Sequence, residues 1–366
     1  MKTLRNYFLR EFLTPLFLSL GVLSFVMVLV GNLKRIADLV INKGVDIFSV
    51  LKLFLFMMPY IVTYALPISV LIAVLLSLGR LSSDNEVIAI RSSGVNIIKL
   101  IFPFIVIGAI LSLGLIIFND RASAYAHYAY RQTLTQVGLK NPTAAFEEGV
   151  FINSFQKYVL FIYRVDQKKN KIYNVRIYEP QEGKPTRTIV ARSGEFIAIP
   201  EKKIIKLKLV DGTSDEPDLE NPTNFYKLNF KTYFMNLNLS QTNKEKLDKK
   251  PKDMTIKELR QEIRKLQKNG IDPAPLVTQI NEKINLALSC FVFILIGAPL
   301  ALITRRREKA INIGIAVLII LVYYPLIIGA AALGMEAKIN PHLAMWIPNA
   351  IFAALGTFLT IKTCAS

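Results

Sequence analysis

Residues 78–94, LGRLSSDNEVIAIRSSG, gather hydroxyl, acidic and basic side chains into a short polar interval between two long apolar runs. Ser83 stands three residues before Glu86. That is the spacing of a capping box, in which hydroxyl and carboxylate each accept a backbone N–H at the start of a helix. Gly94 falls where a helix over Asp84–Ser93 needs a left-handed stop. Val87, Ile88 and Ile90 give this predicted helix an apolar surface, with Arg80 and Arg91 beside it. Two readings follow: a capped connector between spans, or a docking element for a soluble partner at a membrane face. Spacing alone leans to the connector.

A second group with chemical potential is basic. Lys34 and Arg35 close the first apolar run, and Lys43 lies nearby. They read either as side chains reaching lipid headgroups or as the rim of a cavity that receives an anionic headgroup. Catalytic chemistry has no foothold. His127 and His342 are isolated and lack metal-ligand spacing, and no catalytic or metal-ligating residue is assigned. No Gly-rich phosphate loop ends in Lys-Ser/Thr, so ATP binding of the P-loop kind is not expected. Glu147-Glu148 and the Asp215–Glu220 cluster sit in turn-like sequence and read as solvated. Cys290 and Cys364 both fall in apolar runs, which supports neither a disulfide framework nor a thiolate metal site.

The elements that position these residues follow from composition. Of 366 residues, 52% are hydrophobic, and the mean hydropathy is +0.38. Apolar runs of roughly 20 residues define membrane spans. They are expected near Phe12–Val30, Leu53–Leu78, Ile97–Phe118, Ile284–Ile303, Ile311–Leu333 and Leu343–Ile361. The N-terminal basic residues and first run imitate a signal peptide. No small-residue cleavage site follows Val30, so the run reads as a retained span. The net charge of +18 is spread through the polar and apolar portions alike. That suits anionic lipid or ligand better than nucleic acid, for which no module is present.

Between spans three and four the pattern changes to period two. Val159, Phe161, Tyr163 and Val165 alternate, as do Val175 and Ile177, Ile205, Leu207 and Leu209, then Tyr233, Met235, Leu237 and Leu239. Turn clusters separate the runs, which predicts a β-sandwich or jelly roll. A basic linker, Lys244–Lys252, leads to a second capping box, Thr255 with Glu258, opening a helix to about Lys268 that Asn269-Gly270 stops. The fold class is therefore membrane α-helical, three spans plus three, with an inserted all-β domain. The expected division is 1–118 with a polar-interval helix over about 83–94, 119–282 with the β domain and its connecting helix over about 255–268, and 283–366. Basic residues of the short segments concentrate around the termini, the polar interval and Arg305–Arg307. The positive-inside rule places these in the cytoplasm and the β domain outside.

At this point the chain resembles the YjgP/YjgQ family of permeases, the LptF/LptG-like transmembrane subunits of the bacterial lipopolysaccharide-export ABC transporter. The resemblance lies in YFLREFLTP at the N-terminus, LGRLSSDNEVIAIRSSGVN in the polar interval, and NEKINLALSCFVFILIGAPLAL, RRREKAINIGIA, VYYPLIIG and HLAMWIPNAIFAALG in spans four to six. It covers essentially the whole chain. Where the family often has an Arg at the start of span four, this chain has Glu282-Lys283. The Ser-Asp-Asn-Glu form leans toward the F-like paralogue.

The resemblance implies that the polar interval is the coupling helix, with Asp84, Glu86 and Arg91 facing a cytoplasmic ABC ATPase dimer. It implies that Lys34, with Arg35 and Lys43, meets lipid phosphates in a cavity shared with a second related permease and lined mainly by spans one and five. The β domain becomes a periplasmic jelly roll that joins a single-span jelly-roll partner and passes lipopolysaccharide outward. The location implied is the inner membrane. The chain itself would bind no cofactor, ATP being used by the partner. The competing reading is a non-transporting membrane scaffold that binds an envelope partner through its β domain.

Overall fold

The computed structural model describes residues 2–37, 46–94, 96–140, 149, 151–155, 158–166, 171–181, 184–199, 204–217, 225–238, 249–304 and 309–365. Two compact units emerge. One holds Met1–Gly31, Phe56–Tyr128 and Lys249–Ser366; the other holds Asn32–Leu55 and Ala129–Asp248. Among the described residues, six helices are long and apolar enough to cross a membrane, as the hydropathy of the sequence predicts.

The helices are α1 (Lys2–Ala37), α2 (Ile47–Ser83), α3 (Glu86–Ser92), α4 (Ile97–Phe118), α5 (Ala124–Lys140), α6 (Ile256–Lys268), α7 (Ala274–Ile303), α8 (Lys309–Met335) and α9 (Pro341–Ala365). A π-helical turn, Asn119–Ser123, joins α4 to α5 without a break, so the third span runs past the Phe118 boundary expected from hydropathy. Prolines 15, 59, 67, 103, 299, 325 and 348 lie inside helices, which neighbouring helices of a membrane bundle tolerate.

The core of the helical unit forms around α7 and α2. Leu71, Val74, Leu75 and Leu78 of α2 pack with Leu286, Cys290, Phe293 and Ile294 of α7, and Phe8, Phe12, Phe104, Tyr323 and Phe352 join them. In the most apolar window of each helix, 72% of α7 and 67% of α2 is buried, against 17% of α1 and 28% of α8. Polar side chains tie the bundle crosswise. Tyr323 Oη donates to Asn349 Oδ1 at 2.6 Å, and Asn349 Nδ2 donates to Asn285 Oδ1 and to the Asn285 carbonyl. At Gly356, α9 meets the α7 backbone directly. An added Cβ would lie 2.8 Å from Ile296 N and from Leu295 C and O.

In the second unit, β1 (Phe151–Phe155), β2 (Tyr158–Asp166), β3 (Lys171–Gln181), β4 (Lys184–Ile199), β5 (Ile204–Pro217) and β6 (Phe225–Asn238) form one antiparallel sheet. The strand order is the chain order, so every connection among the described strands is next-neighbour. Leu160, Ile162, Ile172, Val175, Ile177, Leu207 and Leu209 are fully buried. A flat single sheet would leave one side-chain face open to water. Among the described residues, the cluster around these side chains is made of strand residues, so strands of the sheet cover one another's apolar face.

In β2 the buried set is Leu160 and Ile162, a correction to the Val159, Phe161, Tyr163 alternation read from sequence. Both phases of YVLFIY are apolar, and pairing with β3 decides between them: Ile162 sits opposite Val175 and Leu160 opposite Ile177. The inward phase also changes within the strands. Ile172 gives way to Val175 and Ile177 in β3, and Ile189 and Ala191 give way to Gly194 and Phe196 in β4. Asn174 (φ 52) and Asp211 (φ 52) adopt the left-handed region there, which Asn and Asp tolerate better than other side chains. The register is unchanged on either side of these positions. The line through Tyr163, Asn174, Arg192 and Asp211 is thus a crease that inverts the pleat in adjacent strands together, and all four residues are exposed.

Replacing Gly356 with Ala should lower stability by about 1–3 kcal/mol, because the contacted atoms are backbone. Thermal unfolding in detergent, compared with Gly314→Ala where nothing lies within 4 Å, measures the difference.

Candidate functional site

The polar interval folds as a helical hairpin end. α2 continues through Ser83, whose Oγ donates to the Arg80 carbonyl at 2.9 Å. Asp84 and Asn85 then turn the chain, with Asn85 left-handed at φ 59. α3 begins at Glu86 and no side chain caps it. The capping box expected from Ser83 and Glu86 is therefore not formed. Ser83 is spent on ending α2, and a left-handed Asn85 makes the turn. Gly94, at φ 78, supplies the left-handed stop that its position predicts.

With its capping role removed, the Glu86 carboxylate accepts from Tyr7 Oη at 3.0 Å. Arg80 grips Glu11 through both carboxylate oxygens, at 3.0 and 2.9 Å, and lies 3.5 Å from Asp84. Val87 is buried and Ile90 packs against the same core. Ile88 is 47% exposed, and Asp84, Ala89 and Arg91 are exposed with it. The face left open is mixed: an acid, a base and an aliphatic side chain, with half-buried Glu86 at its border. Such a face suits a protein groove better than either pure solvent or pure lipid.

Of the basic group, Lys34 and Arg35 belong to the last turns of α1, their side chains outside the described residues, and Lys43 lies wholly outside them.

At the other end of the helical unit, a small cavity of about 50 Å³ is lined by Tyr60, Thr63, Tyr64, Asn119, Ser123, His127, Lys252, Gln279, Glu282, Lys283 and Leu286. The π-helical turn presents Asn119, which accepts from Thr63 Oγ1 at 2.7 Å and donates to the Lys283 carbonyl. Residues 249–256 are strapped across this end. His127 pairs with Asp253, Lys283 Nζ donates to the Met254 carbonyl, and Asp120 accepts the Ile256 N–H. Among the described residues no group of three His, Cys, Asp or Glu side chains could hold a metal ion.

Comparison with known proteins bears on the hairpin end. A family model described as lipopolysaccharide export system permease LptF/LptG matches residues 6–362. The chain belongs to the LptF/LptG family. It is 22% identical to the lipopolysaccharide export system permease protein LptF of Escherichia coli (strain K12) over 360 residues, covering 97% of this chain and 94% of that protein. LptF of Escherichia coli O157:H7 and of Shigella flexneri match to the same extent. Within this family frame the polar interval, the first five spans and the β domain lie inside the matched segment, and the sixth span ends one residue beyond it.

Sequence reasoning located Asp84, Glu86 and Arg91 on one short element, and the structure brings them together around α3. It missed Tyr7 and Glu11, which stand 79 and 69 residues from their partners Glu86 and Arg80. The available signal was the YFLREF segment itself, where a Tyr and a Glu interrupt an apolar helix. It also missed the strap, whose His127 looked isolated in sequence.

Thr255 and Glu258 do form their box, with Thr255 accepting from the Glu258 N–H and Glu258 from the Thr255 N–H. Burial raises the Glu258 pKa, but hydrogen bonds from Lys249 and Thr255 outweigh it and hold the carboxyl below its usual value. A depressed folded pKa stabilises above the unfolded value, about 4.3, and that contribution is lost as pH falls through the folded value. Amide exchange at Ile256–Leu259, corrected for intrinsic rates, should therefore accelerate as pH drops below about 4. Glu258→Gln should remove that acceleration.

Proposed function

We propose that this chain is one of two related transmembrane subunits of an ABC transporter that extracts lipopolysaccharide from the outer leaflet of the inner membrane. The full-length family match carries this reading. In it both termini and α3 face the cytoplasm, and the sheet lies in the periplasm. A dimer of a separate ATPase docks on α3, where Asp84, Glu86 and Arg91 meet it. The chain binds no cofactor of its own, and the ATPase consumes the ATP.

The lightly covered helices α1 and α8 support a shared cavity. Exposed Phe17, Val22, Phe25 and Val30 on α1, with Val317, Leu318 and Leu321 on α8, offer surface for acyl chains and a companion permease. Lys34, Arg35 and Lys43 bind the phosphates of the lipid headgroup, where charge-assisted hydrogen bonds favour cations. The apolar face of the sheet then gives acyl chains a path outward. Its edge strands, β1 and β6, offer strand addition to the jelly-roll partner.

Mild-detergent purification of the tagged chain with mass spectrometry should retain an ATPase and a second six-span permease. Glu86→Ala should lower ATP turnover of the purified complex about tenfold, the size of losing a charged hydrogen bond. Recovery of periplasmic partners alone, with turnover indifferent to Glu86, would leave a scaffold. Lys34→Gln with Arg35→Gln should weaken lipid capture while retaining the ATPase, read as phosphate-containing lipid co-purified per complex.

A further inference from the structure

We infer that Tyr7 and Glu11 are positioning residues that make the start of α1 and the α2–α3 hairpin one mechanical piece, so that a push on α3 displaces α1. The inference rests on the transport reading and adds to it the route by which motion leaves the docking helix.

The contacts sit at the two corners of the hairpin. Tyr7 Oη donates to Glu86, the first residue of α3. One turn further along α1, both Glu11 carboxylate oxygens accept from Nη1 of Arg80 just before the turn, and Arg80 Nε also approaches Asp84 within it. The guanidinium spans two carboxylates, Nη1 on Glu11 and Nε toward Asp84, and so ties α1 to the turn at two points. Apolar packing reinforces the join. Phe8 and Phe12 are buried, and both rings lie against Phe104 of α4. Val87 of α3 belongs to the same cluster.

Further along α1 the grip ends. Leu16 and Ser19 are buried, and Ser19 Oγ donates to the Ser69 carbonyl. From there to Val30, Val28 is the one described residue that is buried. The helix is thus clamped over its first turns and largely uncovered beyond, yet it runs on unbroken to Ala37. Pro15 interrupts the backbone ladder one turn past Glu11, but buried Phe12 and Leu16 on either side of it hold the helix against the bundle, so displacement of the clamped end passes along α1.

The test separates ATP turnover from lipid movement. The complex purified with its ATPase and companion permease is placed in lipopolysaccharide-containing vesicles, and ATP hydrolysed and lipid released are measured on the same sample. Tyr7→Phe removes the hydroxyl and keeps the ring; Glu11→Gln removes the charge. Each should keep ATP turnover within about twofold while lipid released per ATP falls about fivefold or more. The charge swap Glu11→Arg with Arg80→Glu should restore the ratio that either single swap loses.

An unchanged ratio in Tyr7→Phe and Glu11→Gln overturns the inference. So does a parallel fall of turnover and release, which would make the clamp only part of the docking surface. An unaltered chain that retains no ATPase refutes the transport reading itself, and with it this relay.

Discussion

A polar side chain inside an apolar bundle is stabilised by a partner within the protein. Among the described residues, the buried Asn, Thr and Tyr groups of the helical unit are largely paired, Asn285 Nδ2 and Asn312 Oδ1 excepted. Water is not there to accept the bonds, so each unpaired group is costly. Asn285 and Asn349 meet across α7 and α9, and Tyr323 of α8 completes the chain. Asn119 occupies the π-helical turn where it reaches both Thr63 and the Lys283 carbonyl. These bonds fix which faces of α7, α8 and α9 meet, something lipid-like Leu and Ile surfaces leave open. Close backbone approach at Gly356 then adds dispersion contact that a larger residue would forfeit.

The same economy explains the hairpin end. Glu86 could have closed its own helix, but the left-handed Asn85 makes the turn instead and leaves the carboxylate available. It is shared between an intramolecular donor, Tyr7, and a face open to a partner. This carboxylate ties α3 to the start of the first span. α3 is short because it has little to bury; Val87 and Ile90 anchor it, and its remaining surface stays outward.

The sheet answers a different constraint. Six strands with one apolar face need cover, and the described strands supply it for one another. The pleat inverts at Asn174 and Asp211, both in the left-handed region. The inversion swaps inner and outer faces without shifting the register, so pairing survives while direction changes. An apolar interior bounded by an exposed polar line at the crease is the outcome.

The six spans, the inserted β region, the Thr255–Glu258 box and the stop at Gly94 were determined by the sequence itself, because hydropathy and capping act over a few neighbouring residues. Asp84, Glu86 and Arg91 were legible as a group for the same reason. Tertiary structure alone decided the partner of Glu86, the pairing of Glu11 with Arg80, and the strapping of His127 to Asp253, since each joins residues far apart in the chain. It also chose the inward phase of β2, where both faces are apolar and only pairing with β3 breaks the tie. Local chemistry names the elements. Which face each one turns inward is settled where long-range contacts compete for the same side chains.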